Sequence, residues 1–291
     1  MINEYCRLLE FPEEATASLS LAWKKLNQRI AVSERFPEIR RIFLEETGRA
    51  YEPHLQAVAD ASGIDRRTVD LLFLLWCLPM LRADYAARGI AEAIFVETMA
   101  DLRYKLLECY ANHSVWGVFV TFWYPGFYRC ERFALGRLQF ERVRFKHAAY
   151  GEVREGDTVL NCHIPSSGPL TPESVQDSLR EAYAFYPDLC RNGVLTVVCH
   201  SWLLYPPHRA LFGQNTVAFH DLFDIVSQKP SETNDDFWRI FNRPFSAETL
   251  HEMPEDTSLR RRFKTYLQAG NTMGNGYGVL RFDGNEVLKP L

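Results

Sequence analysis

The sequence predicts an α+β protein, a helical N-terminal domain followed by a mixed sheet flanked by helices. Three observations carry this reading. Up to about residue 110, apolar side chains recur at helical spacing and no strand signal interrupts them. Near His113 the texture changes to aromatic and β-branched residues, which suit a pleated surface. Farther on, a strand, a loop, a helix and a second strand follow in order, the pattern of a right-handed crossover between parallel strands. The expected division is a helical domain over 1–115 and a second domain over 116–291.

The N-terminal helices are read from their stripes. Leu19, Ala22, Leu26 and Ile30 lie close to one face, and Ile39, Ile42 and Phe43 repeat the pattern. Asp65 is placed to cap the next helix, whose apolar run Leu71–Leu81 predicts burial with a kink or stop at Pro79. A broad face through Ala91, Ile94, Phe95, Met99, Leu102, Leu106 and Tyr110 predicts one more helix. These are core-facing stripes of a bundle.

In the second half, Gly136 marks a turn or bulge. The near-alternation of Leu138, Phe140 and Val143–Phe145 with charged residues predicts a half-exposed antiparallel strand. Gly156–Asp157 reverses the chain into the strand Thr158–Ile164. A helix then opens at Thr171 (cap) and Pro172 (first turn), carries Val175, Leu179, Ala182 and Tyr186 inward, and ends at Pro187. Asn192–Gly193 turns the chain into a long apolar strand stopped by Pro206–Pro207. A strand or a short helix and strand, two helices and a closing strand over Gly276–Gly284 complete the chain.

Composition bounds the function. With 47% hydrophobic and 24% charged residues the 291-residue chain is an ordinary globular protein. A net charge of −4 argues against general nucleic-acid binding, which needs clustered Lys and Arg. The Arg260–Arg262 run reads as a solvated helix face. Seven cysteines without a close CxxC pair, and an N-terminus without a signal-peptide core, place the chain in the cytoplasm with reduced thiols. The longest apolar run is too short to span a bilayer, so no membrane partner is expected.

The loop Ser166–Ser167–Gly168–Pro169–Leu170 lies where a crossover sheet places ligands, past a strand's carboxyl end and before a helix N-terminus. Free N–H groups from Gly168 to Ser174 could hold a pyrophosphate, although Pro169 and Pro172 each remove a donor. It is not a Walker loop. Two readings stay open on the residues alone, a plain strand–helix turn and an anion cradle.

Three segments, LGRLQFE, HIPSSGPLTPESVQDSL and VVCHSWLLYP, resemble bacterial acyltransferase-like proteins that pair a helical N-terminal domain with a C-terminal domain of the GNAT acyltransferase type. The resemblance implies acyl-coenzyme A as co-substrate, no metal, and direct transfer from thioester to an amine acceptor whose identity stays open, as do acyl chain length and oligomeric state. It makes Thr158–Ile164 the central strand, with Asn161, Cys162 and Ile164 along the pantetheine arm. Ser166, Ser167, Gly168, Leu170 and Thr171 become the pyrophosphate loop, and Leu195–Leu203 the next strand, splayed to admit the thioester. The sequence departs from the usual GNAT loop, a Gln or Arg followed by two spaced glycines, because Gly168 stands alone.

Such chemistry needs a base for the ammonium, a backbone N–H for the oxyanion and an acid for the leaving thiolate. Glu141 is the first candidate base, against a solvent-facing carboxylate paired with Arg. Tyr205 is the candidate acid, against an aromatic packed on the sheet rim. His163 and His200 are further candidate bases, against structural histidines. Asn161 shares a face with His163 and could bond a ligand amide.

Rival chemistries are a cysteine hydrolase using Cys162 with His200, and a zinc site from Cys162, His163, Cys199 and His200; strand alternation disfavours the second. A catalytically inactive domain binding an acyl-thioester or a protein is the third alternative.

Overall fold

The computed structural model describes residues 1–45 and 48–290. It divides into two compact units, Met1–Phe133 and Ala134–Leu291, later than the division expected at 115/116.

The first unit is helical: α1 (Ile2–Leu8), α2 (Glu13–Arg29), α3 (Val32–Glu45), α4 (Glu52–Ser62), α5 (Arg66–Ala87), α6 (Glu92–Met99), α7 (Asp101–His113) and the single turn α8 (Pro125–Tyr128). Its centre is a set of edge-to-face rings in which Phe36 and Phe43 both meet Phe73 at 5.4 Å, and Phe43 meets Tyr51 and Tyr128. Asp65 caps α5 through a 2.8 Å bond from the Arg67 N–H, as expected. Three local expectations change. α5 runs through Pro79 without stopping, because nearly all of its first half is buried on every side and packing outweighs the lost hydrogen bond. The last predicted helix divides at Ala100 into α6 and α7. The aromatic stretch after residue 115 forms turns rather than strand.

That last correction has a clear cause. The Val118 N–H donates to the Arg67 carbonyl at 3.0 Å, and the Thr68 hydroxyl donates to the Trp116 carbonyl at 3.0 Å. The stretch spends its backbone groups on the start of α5 rather than on a ladder. Gly117 is required there, since a Cβ would stand 2.4 Å from the Arg67 carbonyl carbon. The Tyr128 hydroxyl reaches the Leu74 carbonyl at 2.8 Å, and Arg132 lies over the Trp123 ring at 3.8 Å.

Asp70 is buried in this unit between Arg66 and Thr121, whose hydroxyl donates to its Oδ2 at 2.6 Å. Burial raises its carboxyl from 3.8 to about 6, against the pull of Arg66 and Thr121. The folded state therefore holds this proton more tightly than the unfolded chain. The stabilisation is fully present below about pH 4 and is lost as pH rises through about 6. Over that window the unfolding free energy of the wild type, read from urea titrations, is expected to fall relative to that of Asp70→Asn, at up to roughly 1.4 kcal/mol per pH unit. Parallel curves for the two proteins would refute the shift.

The second unit is built on a six-stranded sheet in the order β1-β2-β5-β6-β8-β7. Its strands are β1 (Arg132–Leu135), β2 (Leu138–Arg144), β5 (Thr158–His163), β6 (Leu195–Ser201), β7 (Asp224–Pro230) and β8 (Gly274–Phe282), and β3 (Ala149–Tyr150) with β4 (Val153–Arg154) forms a separate hairpin. β5 is antiparallel to β2 and parallel to β6, and β6 and β7 are each antiparallel to β8, so the sheet is mixed as expected. The helices are α9 (Pro172–Phe185), α10 (Gln214–His220), α11 (Trp238–Phe241) and α12 (Ser258–Gln268). The strand expected to run to Pro206 ends instead at Ser201, whose hydroxyl accepts from the Leu203 N–H and opens a 3-10 turn.

Strand alternation sorts the sheet into two faces. One carries Phe140, Cys162, Val197, Cys199 and Phe282, and α9 packs there, with the Tyr183 ring edge-on to Phe282 at 6.1 Å. The other carries Glu141, Asn161, His163, Val198, His200, Tyr277 and Val279, with Phe145, Val153, Val159, Val198 and Val279 clustered as its apolar floor. Glycines at 274, 276 and 278 on β8 clear space for the segment after β6; a Cβ at Gly276 would lie 2.0 Å from the Leu204 carbonyl oxygen.

Candidate active site

The polar face of the sheet brings three expected residues together. β2 and β5 pair Glu141 with Asn161, and His163 follows Asn161 by two on the same face. The Glu141 Oε1 lies 2.7 Å from His163 Nε2 and 3.3 Å from Asn161 Nδ2, and Asn161 Nδ2 lies 2.9 Å from His163 Nε2. A protonated Nε2 donates to the carboxylate, and a bare Nε2 accepts from the Asn161 amide, so the ring has a partner in either state. The Glu141 and His163 side chains retain 19% and 21% exposure, dry enough to strengthen the pairing and open enough to exchange a proton. Asn161 is thus engaged inside the cluster with both residues.

His200 occupies the equivalent row on β6, two residues past the last registered pair of β5 and β6, as His163 does on β5. It faces Tyr277 across β8 at 6.5 Å between rings, and Tyr277 in turn meets His147 at 4.7 Å. Partial burial, then Lys146, holds the His200 imidazole below its usual value. Tyr205 is 8% exposed, its ring set against the Cα of Gly274 and edge-on to His208 at 4.8 Å. The structure packs this ring on the sheet rim and does not bring it to the Glu141–His163 pair.

Cys162 and Cys199 lie on the opposite face, buried on neighbouring strands. The Cys162 thiol, and then burial, push the Cys199 thiol well above its usual value, the reverse of what a nucleophile needs. The register that places Cys162 beside Cys199 leaves His200 on the other side of the sheet. Among the described residues no group of three or more His, Cys, Asp or Glu could hold a metal.

β5 and β6 register at Leu160↔Val197 and Asn161↔Val198, whereas β6 and β8 register over seven pairs from Leu195↔Phe282 to Ser201↔Gly276. The short parallel ladder ends where the expected thioester would enter. Past it, Ile164 leads into the loop. Gly168 has φ +115°, a conformation that favours glycine, and a Cβ added there would meet nothing within 4 Å. Ser166 and Gly168 are exposed, Ser167 and Thr171 half-buried and Leu170 buried. The Thr171 Oγ1 caps α9 by accepting from the Ser174 N–H at 3.2 Å, so the last donor of the expected cradle is already bonded. Arg137 escaped the sequence reading. It donates to the carbonyls of Gly168 at 2.9 Å and Pro169 at 3.1 Å, and its one signal was a cation beside the turn glycine Gly136.

Residues 133–280 match the model of the GNAT-like C-terminal domain. The chain belongs to this family. Residues 1–130 match the N-acyltransferase N-terminal domain, so the helical unit ahead of the GNAT-like domain has its own family model. Among solved structures, an acyltransferase in complex with decanoyl-CoA and teicoplanin is similar at TM-score 0.71 and 21% identity, over 95% of this chain and 86% of that one. An acyltransferase in complex with decanoyl-CoA is similar at TM-score 0.63 and 23% identity, over 96% and 98%. Both likenesses are of fold. Comparison with curated proteins finds no match. Among the described residues of this GNAT-like protein no helix is long and apolar enough to cross a membrane.

Proposed function

We propose that this GNAT-like protein is an acyl-CoA-dependent N-acyltransferase in which Glu141 and His163 act as one proton-accepting pair. The observation that carries the reading is the 2.7 Å contact between Glu141 Oε1 and His163 Nε2 on the central strand, three residues before the loop that would hold the pyrophosphate. The acceptor ammonium first gives one proton to water, leaving a neutral amine. The amine nitrogen then attacks the thioester carbonyl, whose developing oxyanion meets a backbone N–H on the β6-facing edge of β5, and as that nitrogen becomes cationic it gives its second proton to the imidazole, the carboxylate stabilising the imidazolium so formed. The C–S bond breaks as the C–N bond completes, and the imidazolium returns a proton to the departing thiolate. The packing of Tyr205 leaves the acid role to the same pair. The solved neighbour in complex with decanoyl-CoA and teicoplanin supports an acyl-CoA donor for this chain and leaves its acceptor open.

Incubation with acetyl- and decanoyl-CoA and a panel of amines is expected to release CoA thiol only when an acceptor is present. Release is expected to persist in Cys162→Ser and Cys199→Ser. Thiol release lost with either cysteine would restore the acyl-enzyme route. Binding of acyl-CoA with no release for any amine would favour an inactive thioester-binding module.

A further inference from the structure

We infer that Arg137, from the turn between β1 and β2, replaces the basic residue missing from the loop itself and sets the loop's peptide groups for the CoA pyrophosphate. The inference rests on the acyl-CoA reading above and adds a positioning residue to it.

The guanidinium spans two consecutive carbonyls, Nη2 to Gly168 at 2.9 Å and Nε to Pro169 at 3.1 Å. A trans peptide points its C=O and N–H in opposite directions. The carbonyl that Pro169 turns toward Arg137 therefore aims the Leu170 N–H away from it. The two carbonyls would repel a phosphate if they faced it, and the arginine keeps them turned aside. The prolines that weaken the loop as a donor array also make this bracing useful, since the Gly168–Pro169 peptide offers a carbonyl and no N–H.

The brace is itself fixed to the start of α9. Gly136, at φ +64°, lies so close to that helix that a Cβ would stand 2.9 Å from Ser178 Oγ. The same hydroxyl accepts from the Leu138 N–H at 3.2 Å and donates to the Ser174 carbonyl at 3.0 Å. The residues on both sides of Arg137 are thus tied to the first turns of α9, and the cation stays in register with the helix N-terminus. The economy of the loop, one glycine in place of two, fits a second shaping element that arrives from the neighbouring turn.

The test compares donors with and without the nucleotide. Titration calorimetry with CoA is expected to show binding weakened by about 10- to 100-fold in Arg137→Met, the loss of two charge-assisted hydrogen bonds. Steady-state assays are expected to put the loss on the KM for acyl-CoA rather than on kcat. The KM for the nucleotide-free donor S-acetyl-pantetheine is expected to move by less than about twofold. Arg137→Lys, which can reach one carbonyl, is expected to recover part of the affinity, and it carries the comparison if the Met variant fails to fold. CoA affinity unchanged in the variant, or an equal loss for both donors, would overturn the role of Arg137 while leaving the transferase reading intact. A wild-type protein that gave no heat with CoA would overturn both.

Discussion

Replacing His163 with Ala is expected to lower kcat/KM for amine acylation by about 10²- to 10⁴-fold, the range for loss of a positioned general base. Glu141→Gln should lie at the lower end, because the neutral amide still accepts a hydrogen bond from Nε2 but no longer stabilises the imidazolium. The two together should cost little more than His163→Ala alone if, as proposed, the residues in contact at 2.7 Å work as one proton-accepting pair. A pH–rate profile separates this from structural damage. The wild type should rise with pH to a plateau as the pair loses its proton, and His163→Ala should lose that inflection while keeping its affinity for acyl-CoA. Activity within about threefold of wild type in His163→Ala would remove the pair from the mechanism.

Gly276→Val is expected to be the most disruptive single change on the sheet. The new Cβ would lie 2.0 Å from the Leu204 carbonyl oxygen and 2.5 Å from its carbon. Backbone cannot yield as a flexible side chain can, so β8 must shift against the turn that follows β6. A cost of about 3 kcal/mol is expected for such overpacking, lowering Tm by about 6–12 °C in a unit of this size. A melting temperature within about 2 °C of wild type would show that the turn moves freely. Gly278→Val is a milder companion, because its first contact is the Phe223 Cβ at 2.7 Å.

Much of this architecture is legible in the residues, and the failures have physical causes. The helix start at Thr171 was readable because capping is local chemistry: one hydroxyl, one proline and one N–H three residues on. The crossover was readable because a helix between two strands has few ways to return. The pleated texture read from near His113 did not give strand at its start because β-propensity reports fit to a half-buried surface, and these residues found theirs against α5. Glu141 and His163 could each be nominated from strand alternation. Their pairing could not, since it depends on the register of β2 with β5, which no local pattern fixes. The seat of Tyr205 was hidden for a related reason: its place just past a strand says nothing of Gly274, the partner that gives its ring somewhere to lie. Arg137 was hidden because a clasp between a turn and a loop leaves no periodic trace.

β5 ends at His163, and three residues on Ser166 opens the loop. Extended chain advances at most about 3.3–3.6 Å per residue, so these stations stand no more than roughly 11 Å apart. In the proposed transfer that strand works as a measuring stick for the carrier, gauging the length from pyrophosphate to thioester and ignoring whatever hangs beyond the carbonyl. Discrimination between short and long fatty tails must then be written elsewhere in the molecule, and could change there without retuning the proton-handling pair.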